Sequence, residues 1–265
     1  MTLLILVKCT DGYVLAADRA QSENVVSSKE VQKIHKIGDT TVAFAGRVAI
    51  IEKSIKLIEA HADNGPFDIM KVESSLMEMM RYYKTKETDI ALDGLVITKG
   101  NTGYVAFRVE SDGMCYPITS IPYESVGAGV FQANPLLNQR LSRVMPIDRT
   151  LVAVYSVIQD VSRFNPSVEG PPSIYVFEGD TCQELDEVAL GACKNEVEFQ
   201  NEFVKMFHNV LNENDPTKIG KATDLLKSFE KEETPSPEEV HPDASPQPEQ
   251  PTPTPKESAA SSSSS

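Results

Sequence analysis

The sequence contains no tryptophan and has few cysteines and histidines. Its four cysteines form no C-x-x-C pair, and its four histidines complete no zinc-ligand spacing with them (Cys9, Cys115, Cys182, Cys193; His35, His61, His208, His241). Isolated buried thiols of this kind are typical of proteins from a reducing compartment. We therefore expect free cysteines and no metal site.

Basic residues are also scarce, with 25 Lys and Arg against 39 Asp and Glu and a net charge of -14. A nucleic-acid partner is not expected, because no basic patch is available to neutralise phosphates. No apolar run approaches the roughly 20 residues that span a bilayer. The apolar run Leu3–Val7 is too short for a signal peptide and follows no basic segment. We expect a cytoplasmic protein that does not associate with membranes.

The C-terminal part of the chain differs in composition from the rest. Eight of the 17 prolines lie beyond Lys231, and the chain ends in a run of serines. A segment this poor in apolar residues cannot bury enough surface to order itself. We predict a disordered tail rich in Pro, Glu and Ser over residues 231–265. A simple solvated tail is the first interpretation, and a tail that docks on a partner is the alternative.

The first 46 residues have the pattern of two β-hairpins. Alternating apolar runs flank the turn residues Asp11-Gly12, and a second pair flanks Gly38-Asp39 (Leu4–Leu6 and Val14–Ala16; Val31–Ile37 and Thr41–Ala45). This arrangement puts four chemically useful groups at or near strand ends: Thr2, Asp18, Lys33 and Gly46. If these ends converge, a hydroxyl, a carboxylate, an ammonium and a glycine amide share one site.

The remaining chain alternates between helix pairs and strands. Helical apolar spacing predicts helices over Val48–Ala60, Phe67–Thr85, Asp148–Asn165, Asn195–Asn212 and Pro216–Phe229, with another starting at Asn134-Pro135. Strands are predicted over Ala91–Thr98, Thr102–Val109, Gly113–Ile118 and Ser173–Phe177. This order indicates an α+β fold in which two antiparallel sheets lie face to face with helices on their outer faces.

The opening resembles the β-type subunits of the proteasome and their bacterial relative HslV, which are N-terminal-nucleophile (Ntn) hydrolases. The matching pieces are the threonine after Met1, DGYVLAADR at Asp11–Arg19, SSKEVQKIHKIGD at Ser27–Asp39 and AFAG at Ala43–Gly46. The resemblance continues more weakly to about Glu178. It implies a four-layer αββα sandwich over residues 1–194, to which this chain adds a helical extension over 195–230. It implies no cofactor.

The resemblance also implies a reaction and a role for each residue. Thr2, exposed when Met1 is removed, would attack a peptide carbonyl through its Oγ, with its own α-amine as the base. Lys33 would lower the pKa of that amine, and Asp18 would hold Lys33 charged and in place. The Gly46 N–H would stabilise the oxyanion, and Arg19 would brace the cluster.

Two supporting segments of that family differ in this sequence. The family's serine in a G-S-G segment corresponds to Ala128, between Gly127 and Gly129. Its D-x-x-S-G-G segment aligns best with Pro166–Pro171, so both the Asp and the Ser are missing, although Asn165, Ser167 or Glu169 could substitute in part. Such changes would slow hydrolysis, favour another acyl acceptor over water, or leave the subunit inactive.

Three functional interpretations therefore remain open. The first is a threonine peptidase or amidohydrolase acting on peptides or unfolded proteins, with an apolar S1-like pocket lined by Ala20, Val31, Phe44 and Val48. Within the enzyme class, a peptide ligase or transpeptidase is the alternative. The third is a non-catalytic structural subunit or scaffold on the same fold. Because relatives assemble into rings, self-association or a ring partner is expected.

Overall fold

The computed structural model describes residues 2–23, 27–30, 32–62, 68–84 and 91–213. The chain divides into two compact units, Met1–Lys205 and Met206–Ser265. Of the second unit, the structure describes only residues 206–213, which are the last turns of a helix. The account below therefore concerns the first unit.

Twelve strands and five helices are found in the described residues. The strands are β1 (Leu3–Lys8), β2 (Gly12–Ala17), β3 (Ala20–Glu23), β4 (Ser27–Glu30), β5 (Ile34–Ile37), β6 (Thr40–Gly46), β7 (Leu92–Gly100), β8 (Gly103–Val109), β9 (Cys115–Pro117), β10 (Tyr123–Gly127), β11 (Ser173–Glu178) and β12 (Thr181–Glu184). The helices are α1 (Val48–Ala62), α2 (Ile69–Lys84), α3 (Val130–Arg140), α4 (Ile147–Phe164) and α5 (Glu187–Glu213).

The strands form two five-stranded antiparallel sheets and a separate two-stranded ribbon. The first sheet has the order β10-β1-β2-β11-β12 and the second has the order β5-β6-β7-β8-β9, while β3 pairs with β4. In the first sheet Leu4 lies opposite Ala17, so the start of β1 and the end of β2 are neighbours. In the second sheet Gly46, at the end of β6, lies opposite Leu92 at the start of β7.

Three apolar clusters hold these layers together. One lies between the two sheets and includes Leu6, Leu15 and Leu95. A second joins the first sheet to α3, α4 and the start of α5, and a third joins the second sheet to α1 and α2. Because each sheet has apolar side chains on both faces, each is covered on both sides. The fold is therefore the predicted α+β sandwich with two antiparallel sheets between helix layers.

Most of the predicted elements are confirmed, but two helix starts are wrong: α5 begins at Glu187 and not at Asn195, and α3 begins earlier than predicted. The helix does not begin at Asn134-Pro135, because it starts at Val130 and contains Pro135 in its interior. Its first backbone bond runs from the Ala133 N–H to the Gly129 carbonyl. The ribbon β3–β4 and the short edge strand β12 were not predicted. The last predicted helix, 216–229, and the tail, 231–265, lie outside the described residues, so the three-part division at 194 and 230 stays a prediction.

The four cysteines form no disulfide bond. Burial raises the pKa of the Cys9 thiol to about 11 and that of the Cys115 thiol to about 12. Among the described residues, no group of three or more His, Cys, Asp and Glu side chains could hold a metal ion. None of the described helices is long and apolar enough to cross a membrane.

Candidate active site

Asp18 lies at the end of β2, where its carboxylate reaches back to the start of β1. Its Oδ1 accepts a hydrogen bond of 2.7 Å from the Leu3 backbone N–H, and its own N–H donates to the Leu3 carbonyl at 3.2 Å. The antiparallel register creates this contact, because the pair before it is Leu4 with Ala17. Asp18 is fully buried. The residue that directly follows Thr2 is therefore fixed to Asp18 by its backbone.

Lys33 reaches the same carboxylate from the second sheet. It directly precedes β5, and its Nζ donates to Asp18 Oδ2 at 2.7 Å. Burial lowers the pKa of Lys33, while the charge of Asp18 and the hydrogen bond to it act in the opposite direction. Asp18 thus connects the first strand of one sheet to the first strand of the other.

Thr2 is itself mostly buried, with about 9% of its surface exposed. Its carbonyl lies against Gly127, the last residue of β10: a Cβ at Gly127 would be 2.1 Å from the Thr2 oxygen and 3.4 Å from the Ala45 Cβ. Gly127 also has a φ of +101°, which disfavours any other residue. The ends of β1, β6 and β10 therefore meet around this glycine.

Gly46 follows Ala45 and ends β6 at the same end of the sandwich. A Cβ at Gly46 would lie 2.2 Å from the Ala91 carbonyl oxygen, so a side chain cannot be accommodated. Gly46 is exposed to solvent, and α1 begins two residues later, at Val48. A helix N-terminus has a partial positive charge, which favours a nearby anion. Gly46 thus lies between the end of β6 and the N-terminus of α1.

The predicted S1-like pocket needs one correction. Phe44 is wrong as a lining residue, because its side chain is about 1% exposed and belongs to the apolar cluster between the second sheet and helices α1 and α2. Val48 is exposed at the start of α1, as a lining residue has to be. The Ala20 side chain and all of Val31 lie outside the described residues. Their assignment to the pocket stays a prediction.

Comparison with known proteins places this geometry in a family. Residues 4–173 match the proteasome subunit family, which is more than half of the chain. The chain belongs to the proteasome subunit family. A curated relative, the proteasome subunit beta of Mycolicibacterium vanbaalenii, is 24% identical over 221 residues, or 74% of this chain and 71% of the relative. The proteasome subunit beta 2 of Pyrococcus abyssi is 44% identical over 63 residues, or 23% of this chain and 30% of the relative.

Solved structures agree with this family. Anbu (ancestral β-subunit) from Yersinia bercovieri superposes with a TM-score of 0.65 at 16% identity, covering 78% of this chain and 96% of the Anbu chain. Anbu from Pseudomonas aeruginosa, solved as a helical assembly of the Anbu complex, gives a TM-score of 0.63 at 16% identity, covering 77% and 95% of the two chains. At these identities the likeness establishes the Ntn-hydrolase fold that this proteasome-family chain shares with them.

The two divergent segments of this proteasome-family chain lie beside Thr2. A Cβ at Gly129 would lie 3.0 Å from the Leu3 Cβ and 3.1 Å from a methyl carbon of Val168, so both segments approach the start of β1. Val168 is fully buried and apolar. The Asn165 Oδ1 accepts a hydrogen bond from the Ser167 N–H. The structure thus places an apolar side chain at the centre of the segment aligned with D-x-x-S-G-G.

Among the described residues, the Arg19 side chain contacts Glu184 and not Asp18. Its Nη2 lies 3.3 Å from Glu184 Oε1, on β12. Glu184 was missed by the sequence analysis, because it is 165 residues away from Arg19 in a short polar strand without an alternating pattern. No signal in the sequence alone connects the two.

Proposed function

We propose that this chain is a threonine-type peptidase or amidohydrolase that acts through the N-terminal Thr2 after Met1 has been removed. The observation that supports it most is the buried carboxylate of Asp18, which binds both the Leu3 N–H and the Lys33 ammonium at 2.7 Å. One carboxylate thereby fixes the backbone next to Thr2 and orients a cation beside it. Membership of the proteasome subunit family supports the same reaction class.

In the proposed reaction, the Thr2 α-amine takes the proton of the Thr2 hydroxyl. A hydroxyl is a weak nucleophile until a base removes its proton, and an α-amine with a pKa near 8 is partly neutral at pH 7. The ammonium of Lys33 disfavours a second positive charge nearby and so lowers the pKa of the α-amine. Thr2 Oγ attacks the carbonyl, and the Gly46 N–H stabilises the oxyanion. The C–N bond then breaks, and the leaving amine takes the proton from the Thr2 α-ammonium. Water, deprotonated by the same α-amine, hydrolyses the resulting ester and releases the free acid and the Thr2 hydroxyl.

The substrate and the setting follow from the family and the site. Peptides or unfolded proteins with an apolar side chain before the cleaved bond are the proposed substrates, since the exposed apolar residue Val48 lies two positions after Gly46. The chain works in the cytoplasm and associates with copies of itself or with a ring partner. The proposed chemistry uses the chain's own residues and requires no metal or cofactor.

A second function, a non-catalytic structural subunit, is favoured by one observation. Ala128 stands where the family has the serine of its G-S-G segment, and Pro166 and Glu169 stand where the family has the Asp and the Ser of D-x-x-S-G-G. A third possibility, transfer of the acyl group to an amine, has the same origin, because those residues orient a water. The experiment below separates the three.

The test is the intact mass of the protein after incubation with a peptide epoxyketone, a reagent that requires both the hydroxyl and the free amine of an N-terminal threonine. We expect loss of Met1 and one adduct in the wild type, no adduct in Thr2→Ala and a reduced rate in Lys33→Ala. A trimmed chain that forms no adduct would favour the structural subunit.

Peptide turnover in the presence of an added amine then distinguishes hydrolysis from transfer. A hydrolase releases a free carboxylate as the main product, whereas a transpeptidase releases product mainly when the amine acceptor is present. Retention of Met1 in the purified protein would contradict the proposed catalytic role, because the α-amine of Thr2 would not exist.

A further inference from the structure

The carboxylate of Glu184 accepts three hydrogen bonds from residues close to Asp18. Its Oε1 accepts from the Ser173 hydroxyl at 2.7 Å and from Arg19 Nη2 at 3.3 Å, and its Oε2 accepts from the Tyr175 hydroxyl at 2.9 Å. A charged acceptor makes such bonds stronger than neutral ones. Glu184 is thus the common partner of Arg19, which follows β2, and of two side chains on β11.

These donors lie on both sides of Asp18. Arg19 directly follows Asp18, and Ser173 lies opposite Ala17, which directly precedes it. Ser173 and Tyr175 are 3% and 6% exposed, so their hydroxyls need partners inside the protein. The side chain of Glu184 is 39% exposed and provides those partners from the edge strand β12. The backbone around Asp18 is therefore held to β12 through one carboxylate.

The same network reaches the chain segment that carries Lys33. The Tyr175 hydroxyl also interacts with the side chain of Gln32, which directly precedes Lys33. Burial and the hydrogen bond to Glu184 raise the pKa of Tyr175 to about 12, so its hydroxyl remains a donor to higher pH than that of an ordinary tyrosine. Glu184 is consequently linked to the neighbours of both members of the Asp18–Lys33 pair.

The segment 165–170 also passes Arg19, but it supplies no carboxylate to it in the described contacts. A Cβ at Gly170 would lie 3.8 Å from the Arg19 Cβ, and the acid that contacts the guanidinium is Glu184 instead. Edge-strand carboxylates usually point to water. This one accepts hydrogen bonds from three side chains around Asp18, which is the reason to assign it a role.

We propose that Glu184 is a positioning residue for the reaction at Thr2, holding Asp18 and Lys33 in register through Arg19, Ser173 and Tyr175. This inference rests on the proposed function for its catalytic readout. Its physical basis is that the reaction rate depends on how the reacting groups are placed, and a displacement of about 1 Å can lower that rate strongly. If Asp18 moves, Lys33 moves with it, and the effect of Lys33 on the Thr2 amine weakens.

The central variant is Glu184→Gln, which keeps the size of the side chain and removes its charge. The matched control is Asp180→Asn, in the turn of the same β11–β12 hairpin, where Asp180 pairs with Lys99 at 3.0 Å on the surface. We expect Glu184→Gln to lower the rate of epoxyketone adduct formation by about tenfold, with the reagent's binding constant changed much less. Asp180→Asn should react like the wild type.

The pH profile of adduct formation separates positioning from simple loss of folded protein. A weaker influence of Lys33 raises the pKa of the Thr2 amine, so the midpoint of the profile in Glu184→Gln should move to higher pH. Adding Arg19→Gln to Glu184→Gln should lower the rate little further, because the contact of Arg19 with the Glu184 carboxylate is already weakened in the single variant. A lower rate with an unchanged midpoint, or full additivity, would overturn the proposal.

A measurement independent of activity keeps this inference separate from the proposed function. The Leu3 N–H donates to the Asp18 carboxylate, and the Asp18 N–H donates to the Leu3 carbonyl. Both amides should exchange with deuterium about tenfold faster in Glu184→Gln than in Asp180→Asn, while the exchange rates of the β7 amides should be the same in the two variants. Unchanged exchange at Leu3 and Asp18 would refute the positioning role. Failure of the wild type to form an adduct would refute the proposed function instead.

Discussion

The Asp18 carboxylate lies 2.7 Å from the Lys33 ammonium nitrogen, and this pair joins the end of β2 to the residue before β5. Both side chains are buried, at 0% and 8% exposure. A buried ion pair of this kind contributes little net stability, because desolvation of the two charges offsets their attraction. Its presence between two sheets therefore fits the proposed reaction at Thr2 better than the needs of folding.

Asp18→Asn should destabilise the protein strongly at pH 7, by about 3–5 kcal/mol, because Lys33 stays buried without its counter-charge. With that charge absent, the folded-state pKa of Lys33 lies even further below its ordinary value of 10.5. The unfolded state then binds more protons than the folded state as the pH approaches 10.5, so the variant should regain stability when the pH rises from 7 to 9. Urea unfolding at both pH values measures this.

The matched control is Asp180→Asn, which removes the surface partner of Lys99. An exposed pair is screened by solvent, so this variant should show little change at either pH. Equal stability of Asp18→Asn and the wild type at pH 7 would contradict the burial of the Lys33 charge.

Gly127→Ala should destabilise the protein far more than Gly179→Ala, although both glycines have a positive φ. At Gly127 the added Cβ would overlap the Thr2 carbonyl oxygen at 2.1 Å, whereas at Gly179, with a φ of +54°, nothing lies within 4 Å. Gly179→Ala should cost about 1–2 kcal/mol from backbone conformation alone. Gly127→Ala should cost at least about 2 kcal/mol more in chemical unfolding and should displace Thr2. Equal costs would show that β1 and β10 can separate easily.

The fold could be predicted where the sequence pattern is local. Strands β1, β2 and β6 alternate or run apolar around Gly-containing turns, so their sequence alone indicates them. The ribbon β3–β4 and the strand β12 consist mainly of polar residues and lack that alternation. Their pairing depends on what lies beside them in three dimensions, which no local pattern carries.

The site could be predicted in part for the same reason. Asp18 and Lys33 were assigned from strand ends and family resemblance, and the structure brings them together. The error at Phe44 was avoidable, because successive strand residues point to opposite faces and both Ala43 and Ala45 face the space between the sheets. Glu184 was not predictable, since its partners come from distant positions.

Tyr175→Phe should change how stability depends on alkaline pH. The pKa of Tyr175 is raised from 10.0 to about 12 in the folded protein, so the unfolded state loses this proton first. The stabilisation is fully present below pH 10 and is lost as the pH rises from 10 to 12. The free energy of unfolding of the wild type should therefore fall toward that of Tyr175→Phe over this range. A constant difference between the two proteins would contradict the raised pKa.

Ala128→Ser tests whether the missing serine limits turnover. Ala128 lies between Gly127, which contacts Thr2, and Gly129, which approaches Leu3, so a hydroxyl at this position would be close to the reacting residue. If hydrolysis of the acyl-enzyme is slow because water is poorly oriented, this variant should speed release of the free acid by about tenfold and reduce transfer to an added amine. The decay of the acyl-enzyme in a single turnover, followed by mass spectrometry, measures this hydrolysis step directly.

The matched control is Ala192→Ser, at an exposed position on α5, which should behave as the wild type. An unchanged rate in Ala128→Ser would place the limitation in the segment around Val168, where the family's Asp and Ser are both absent.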